Sequence, residues 1–83
     1  MKYMVAELMF KAEKAWFEDD HIHLLLSDRK KVSFPIDLNK KFCLAEKSQL
    51  KNIEIICGGT GLHWPELDED LSVTGIMEGR FGI

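Results

Sequence analysis

An α+β fold is what this sequence predicts: a small antiparallel sheet with a central hairpin, one or two short helices, and a C-terminal strand or short helix. Three observations carry that expectation. His21-Ile-His-Leu-Leu-Leu-Ser27 and Lys31-Val-Ser-Phe-Pro-Ile36 are β-rich runs separated by the turn-forming Asp28-Arg-Lys30. The stretch from Asp37 to Asn52 loses strand alternation and carries Leu38, Phe42, Leu44, Ala45 and Leu50 at spacings that suit short helices. Ile53-Glu-Ile-Ile-Cys57 then returns to strand character, until Gly58-Gly59 and Gly61 break it.

Taken in order, the first element is the least determined. Within Val5 to Phe17 the Ala, Glu, Leu, Met and Lys residues favour helix, whereas Leu8, Phe10, Ala12 and Trp16 recur at even spacing. Pro35 lacks an amide hydrogen and closes the second hairpin strand. Asn39 and Lys40 make the following helix weak, and Ser48 is the expected N-cap of the next. Leu24, Leu26, Phe34, Ile55 and Trp64 are expected in or beside one core.

With 83 residues the chain is expected to form a single domain over 1–83, burying about 60 to 65% of its unfolded surface. A 46% hydrophobic and 30% charged composition is that of a globular protein rather than a disordered, collagen-like or solenoid chain. No run approaches the roughly 18 apolar residues of a membrane span, and the amino terminus does not resemble an export signal, so a cytoplasmic location is expected. Cys43 and Cys57 lack metal-type spacing and are expected to be reduced, structural and mostly buried. Net charge is uneven, −2 over residues 1–27, +4 over 28–51 and −5 over 52–83. Such asymmetry matches either separate basic and acidic faces or an interleaved solvated surface.

The most specific segment is Gly61-Leu-His-Trp-Pro-Glu-Leu-Asp-Glu-Asp-Leu-Ser-Val-Thr-Gly75. It resembles the signature of a bacterial family of small proteins, domain of unknown function 2442, nearly continuously from Gly61 through Ile76. Ala15-Trp-Phe-Glu-Asp-Asp20, Leu26-Ser-Asp28 and Val32-Ser-Phe-Pro35 agree as well, so the similarity covers about residues 11–80. The resemblance implies a strand from about Lys11 to Phe17, against local helix propensity. It also implies membership of a group with no established reaction, some of whose members resemble partners in toxin–antitoxin-like gene pairs. Others resemble fusions to a helix-turn-helix domain, for which this chain is expected to have no room. Two departures stand out. The family often has Asp-Gly-Arg where this chain has Asp28-Arg29-Lys30, and an aromatic-Pro-Arg-Leu helix start where it has Asn39-Lys-Lys-Phe-Cys-Leu44.

The motif offers chemistry that has to be weighed against architecture. A turn that gathered His63, Asp68 and Asp70 would suit a hard divalent cation, and paired carboxylates suit general acid–base work only inside a cleft with a perturbed pKa. The preferred reading is structural: Trp64 and Leu67 enter the core, Pro65 sets the chain direction, and Asp68, Glu69 and Asp70 cap a turn or face water. His21 and His23, two apart on a strand, point to one side, but two ligands do not make a metal site and surface placement is preferred. Gly58-Gly59-Thr60-Gly61 lacks the lysine and helix of a phosphate loop and reads as a bend. Arg29-Lys30-Lys31 with Lys40-Lys41 lacks stacking aromatics other than Phe34 and Phe42, both assigned to the core.

The expectation is therefore a non-enzymatic interaction module with no catalytic residue, cofactor or metal, which self-associates or takes a small protein partner and uses no membrane. Its candidate partner-binding or motif residues are His63, Trp64, Glu66, Asp68, Glu69 and Asp70. The alternative is a nucleic-acid-associated regulator using the basic 28–51 segment.

Overall fold

The computed structural model of the chain describes residues 10–82. The part of the ambiguous first run that lies at residues 5–9 falls outside the described residues. From Ala12 onward the run is extended, as the family resemblance implies and as helix propensity does not: β1 spans Ala12–Glu18. Burial explains the outcome. Ala12, Ala15 and Phe17 pack on the core while Lys14 and Glu18 stay in water, and that assortment suits a strand with one wet face.

β2 (His21–Leu26) and β3 (Lys31–Pro35) complete a first antiparallel sheet in the order β1-β2-β3. Asp19 and Asp20 both take positive φ, 55° and 59°, so a two-residue turn joins β1 to β2. That geometry matches the right-handed twist of paired strands. Alternation does the rest: Ile22, Leu24 and Leu26 are buried and His21, His23 and Leu25 face outward. Across the sheet Ile22 lies opposite Phe34 and Leu24 opposite Val32, which sets the register.

The segment from Ile36 to Lys51 forms a single 3-10 turn (Ile36–Leu38) and two very short helices, α1 (Lys40–Cys43) and α2 (Lys47–Lys51). Helices of four and five residues are unstable alone and depend on caps and packing. Asn39 caps α1 by accepting the Phe42 amide at 3.1 Å. The N-cap of α2 is Glu46, whose own amide donates to the Gln49 side chain at 2.9 Å. Ser48, the expected cap, lies inside that helix instead. A Glu two residues upstream, with Gln at the third helical position, supplies the reciprocal bonding that a lone Ser does not.

β4 (Glu54–Ile56), β5 (Gly61–Trp64) and β6 (Glu69–Ser72) form a second antiparallel sheet in that order, followed by α3 (Val73–Met77). The sequence suggested one sheet; the described residues make two, which share one core. A glycine bend at 57–59 joins β4 to β5 and lets the chain pass close against the first sheet. A Cβ on Gly59 would stand 3.2 Å from the Ala12 carbonyl oxygen, at φ +99°. Phe81, Phe34, Phe42 and Trp64 then form a continuous aromatic path between the sheets, with successive ring centroids 4.7, 6.5 and 4.6 Å apart.

Leu24, Leu26, Phe34 and Trp64 are buried as expected. Ile55 is not: it is 38% exposed, because it sits on β4 at the edge of the second sheet. Cys43 and Cys57 are free, and both are exposed rather than buried. One closes a four-residue helix and the other opens the glycine bend, so neither position faces the core.

Candidate functional site

Pairing in the second sheet settles where the motif residues point. His63 lies opposite Asp70 on one side and Glu54 on the other, so three polar side chains line up across the outer face. Leu62 pairs with Leu71 and Trp64 with Glu69, which places these four on the inner face. The motif is thereby split. Its outer half is the His63–Asp70 pair and its inner half is Trp64 with Glu69.

His63 Nδ1 donates to an Asp70 carboxylate oxygen. That hydrogen bond is the main reason the imidazole titrates above its ordinary value; partial desolvation opposes it, and the charges of Asp70, Glu54 and Asp68 add to it. A protonated imidazole between carboxylates is a local salt bridge, and Asp70 is largely exposed. Among the described residues no group of three or more His, Cys, Asp or Glu side chains stands close enough to hold a metal ion. Asp68 is exposed in the β5–β6 turn at φ 51° and offers its main-chain carbonyl to Lys41 Nζ at 2.9 Å.

Trp64 is fully buried, its indole N–H donating to the Leu50 carbonyl at 3.3 Å. Glu66 accepts from the Asn52 amide at 2.9 Å, tying the turn to the end of α2. Glu69 neither caps a turn nor faces solvent. Its carboxylate accepts from Asn39 Nδ2 at 2.7 Å and lies 3.6 Å from Lys41 Nζ. Asn39 also donates to the Phe81 carbonyl at 2.7 Å, so one fully buried amide joins α1, β6 and the C-terminal segment. Gly82 closes over this junction at φ +88°; a Cβ there would fall 2.6 Å from both Asn39 Nδ2 and Glu69 Oε2.

Sequence reasoning missed Asn39, since a buried polar hub is defined by partners 30 and 42 residues away. It also treated Glu69 as a solvent acid. The period-two signal was available, because Leu71 is inward and Glu69 shares its parity. The basic 28–51 segment is divided by the fold: Arg29, Lys30 and Lys31 sit at the β2–β3 hairpin, whereas Lys41 turns to the second sheet. His21 and His23 share the outer face of the first sheet, with ring centroids 6.0 Å apart. His23 Nε2 donates to the Glu18 carbonyl at 3.0 Å, and its Nδ1 shares a hydrogen bond with the Ser33 hydroxyl at 2.6 Å. An open depression of about 450 Å³ lies near the β1–β2 turn, bordered by His21, Ile36 and Cys43 among others, and includes none of the motif residues.

A family profile described as a protein of unknown function, DUF2442, matches residues 12–82. The chain belongs to this family. The DUF2442 match spans both sheets and all three helices, so it covers the whole arrangement above. The fold is also that of a crystal structure of a protein of unknown function from Rhodospirillum rubrum, 36% identical, with a TM-score of 0.81 over 89% of this chain and 92% of that one. An uncharacterised protein from Chromobacterium violaceum, solved by NMR, is 26% identical with a TM-score of 0.80 over 98% of this chain and 76% of its own. No curated protein matches the chain. No helix among the described residues is long and apolar enough to cross a membrane.

Proposed function

We propose that this DUF2442 protein is a non-catalytic interaction module that takes a small partner protein on the free edge of β3, as one half of a toxin–antitoxin-like pair. The observation that carries the reading is the contrast between the motif and that edge. Apart from Asp68, which contributes only its main-chain carbonyl, the motif side chains are engaged within the fold. β3 is the last strand of its sheet, and among the described residues its backbone pairs only with β2.

An unpaired edge presents a row of amide and carbonyl groups, the template for an added strand. The chain leaving β3 keeps Leu38 49% exposed, and Leu44, beyond α1, is 88% exposed. Exposed large aliphatics near a strand edge suit the apolar rim of a protein partner. The alternative of one basic nucleic-acid surface over residues 28–51 gains no support from a segment whose Lys41 is held by Asp68 and Glu69.

The test is recovery of the tagged full chain from its native cell, followed by amide exchange on the complex formed with the neighbouring gene product. The reading expects slowed exchange at residues 31–35 and unchanged exchange at 61–72. Slowing confined to β5 and β6, or no complex with the neighbouring product, would refute it.

A further inference from the structure

The outer face of the first sheet carries side chains that neither the motif nor the strand-edge reading uses. Register lays them out in three cross-strand rows: Lys14 with Leu25 and Lys31, Trp16 with His23 and Ser33, and Glu18 with His21 and Pro35. The middle row carries a half-buried aromatic stack. Trp16 and His23 stack with centroids 5.3 Å apart and an interplanar angle of 14°. Hydrogen bonds of His23 with the Glu18 carbonyl and the Ser33 hydroxyl hold the imidazole against the indole, and the Trp16 indole N–H is steadied by Glu18 at 3.3 Å. Lys31 Nζ stands 5.9 Å from the Trp16 ring centroid, close enough for a cation–π contact.

Charge on this sheet is polarised. Its hairpin end gathers Lys14, Arg29, Lys30 and Lys31, and Lys11 joins them because the Ser27 amide donates to the Lys11 carbonyl at 2.9 Å. All five are exposed, and Glu13 and Asp28 leave a surplus of three positive charges. Arg29 lies 3.5 Å from Glu13 and Lys30 3.7 Å from Asp28. Exposed pairs of this kind contribute little and exchange readily for another anion. The acids Glu18, Asp19 and Asp20 lie at the opposite end of the sheet.

We propose that this outer face is a binding site for single-stranded nucleic acid, with a base stacked on the Trp16–His23 platform and the flanking phosphates met by the basic hairpin end. A planar stacking surface beside a cluster of cations is the combination that single strands use, since unpaired bases can splay onto aromatic rings while the backbone follows positive charge. A duplex keeps its bases stacked internally and cannot use the platform. An acidic peptide satisfies the charges but has no base to place on Trp16. The proposal does not rest on the strand-edge reading, and its failure would leave that reading intact.

The test uses the full chain and deoxythymidine and deoxyadenosine oligomers of about eight nucleotides, within the usual single-strand site size, followed by tryptophan fluorescence. Trp64 is fully buried, so quenching reports Trp16. Saturable quenching is expected, and with three phosphate contacts the affinity should fall roughly twentyfold between about 50 and 200 mM salt. Trp16→Ala, followed by anisotropy of a labelled oligomer, should weaken binding roughly fivefold to a hundredfold. Lys31→Glu lies on an exposed position and should weaken binding and flatten the salt dependence without unfolding the chain, so it decides the matter even if Trp16→Ala folds poorly. Absence of binding, equal affinity for a duplex or for oligo-glutamate, or parental affinity in folded Lys31→Glu would overturn the proposal.

Discussion

The side-chain amide of Asn39 reaches the Glu69 carboxylate at 2.7 Å, linking a helix cap in the middle of the chain to the first residue of β6. Asn is suited to the task because its oxygen caps α1 while its nitrogen supplies two donors, one to Glu69 and one to Phe81. Asn39→Asp keeps the cap but replaces both donors with an acceptor facing a carboxylate. Urea unfolding at neutral pH should show a loss of roughly 1 to 3 kcal/mol, the penalty for leaving such groups unpaired in the interior.

Trp64 closes the aromatic path between the sheets and has no exposed surface. Trp64→Ala removes a large buried body and should cost roughly 3 to 5 kcal/mol, a large fraction of the 5 to 15 kcal/mol typical of a domain. Gel filtration and circular dichroism should find the variant unfolded or aggregated. A folded variant with the parent's melting temperature would mean that Trp64 is not a core residue.

His63 carries a pH dependence whose sign is set by Asp70. The folded imidazole titrates above the unfolded value of about 6.5, so its contribution to stability is fully present below about pH 6.5 and is lost as pH rises through the folded midpoint. An NMR titration should place the His63 midpoint above 6.5. Asp70→Asn should lower that midpoint and flatten the loss of stability on the alkaline side, while a midpoint unmoved by Asp70→Asn would contradict the pairing.

Arg29 occupies the β2–β3 turn at φ 78°, a left-handed conformation that costs an L-residue roughly 1 to 2 kcal/mol. Glycine adopts it freely, although glycine also loses more entropy on folding, about 0.5 to 1 kcal/mol. Arg29→Gly should therefore be neutral or stabilising by up to about 1 kcal/mol in thermal melts, despite removing the exposed contact to Glu13.

Much of the fold was legible because alternation is a local signal. Ile22, Leu24 and Leu26 announce the inner face of β2 by parity alone, and the glycines at 58, 59 and 61 mark the bend that ends β4 and opens β5. The first strand was not legible from propensity, because burial of Ala15 and Phe17 against the core outweighs the helix preference of Ala, Lys and Glu. The polar junction was illegible for a different reason: nothing near Asn39 in the chain indicates that Glu69 and Phe81 will meet it. Trp16 shares its even spacing with the buried Ala12, and only the register shift between Ala12 and Lys14 with the pairing to His23 turns it outward.

The central claim is that the motif's acids act inside the fold rather than on a ligand, and a double-mutant cycle between Asn39→Ala and Glu69→Ala tests it most directly. Each single substitution removes the hydrogen bond between the two side chains, and the double removes both groups. Urea unfolding should give a coupling of about 1 to 2 kcal/mol, within the range for groups sharing a hydrogen-bond network. Stabilities that add to within about 0.5 kcal/mol would show the two residues to be independent and would contradict the architectural account.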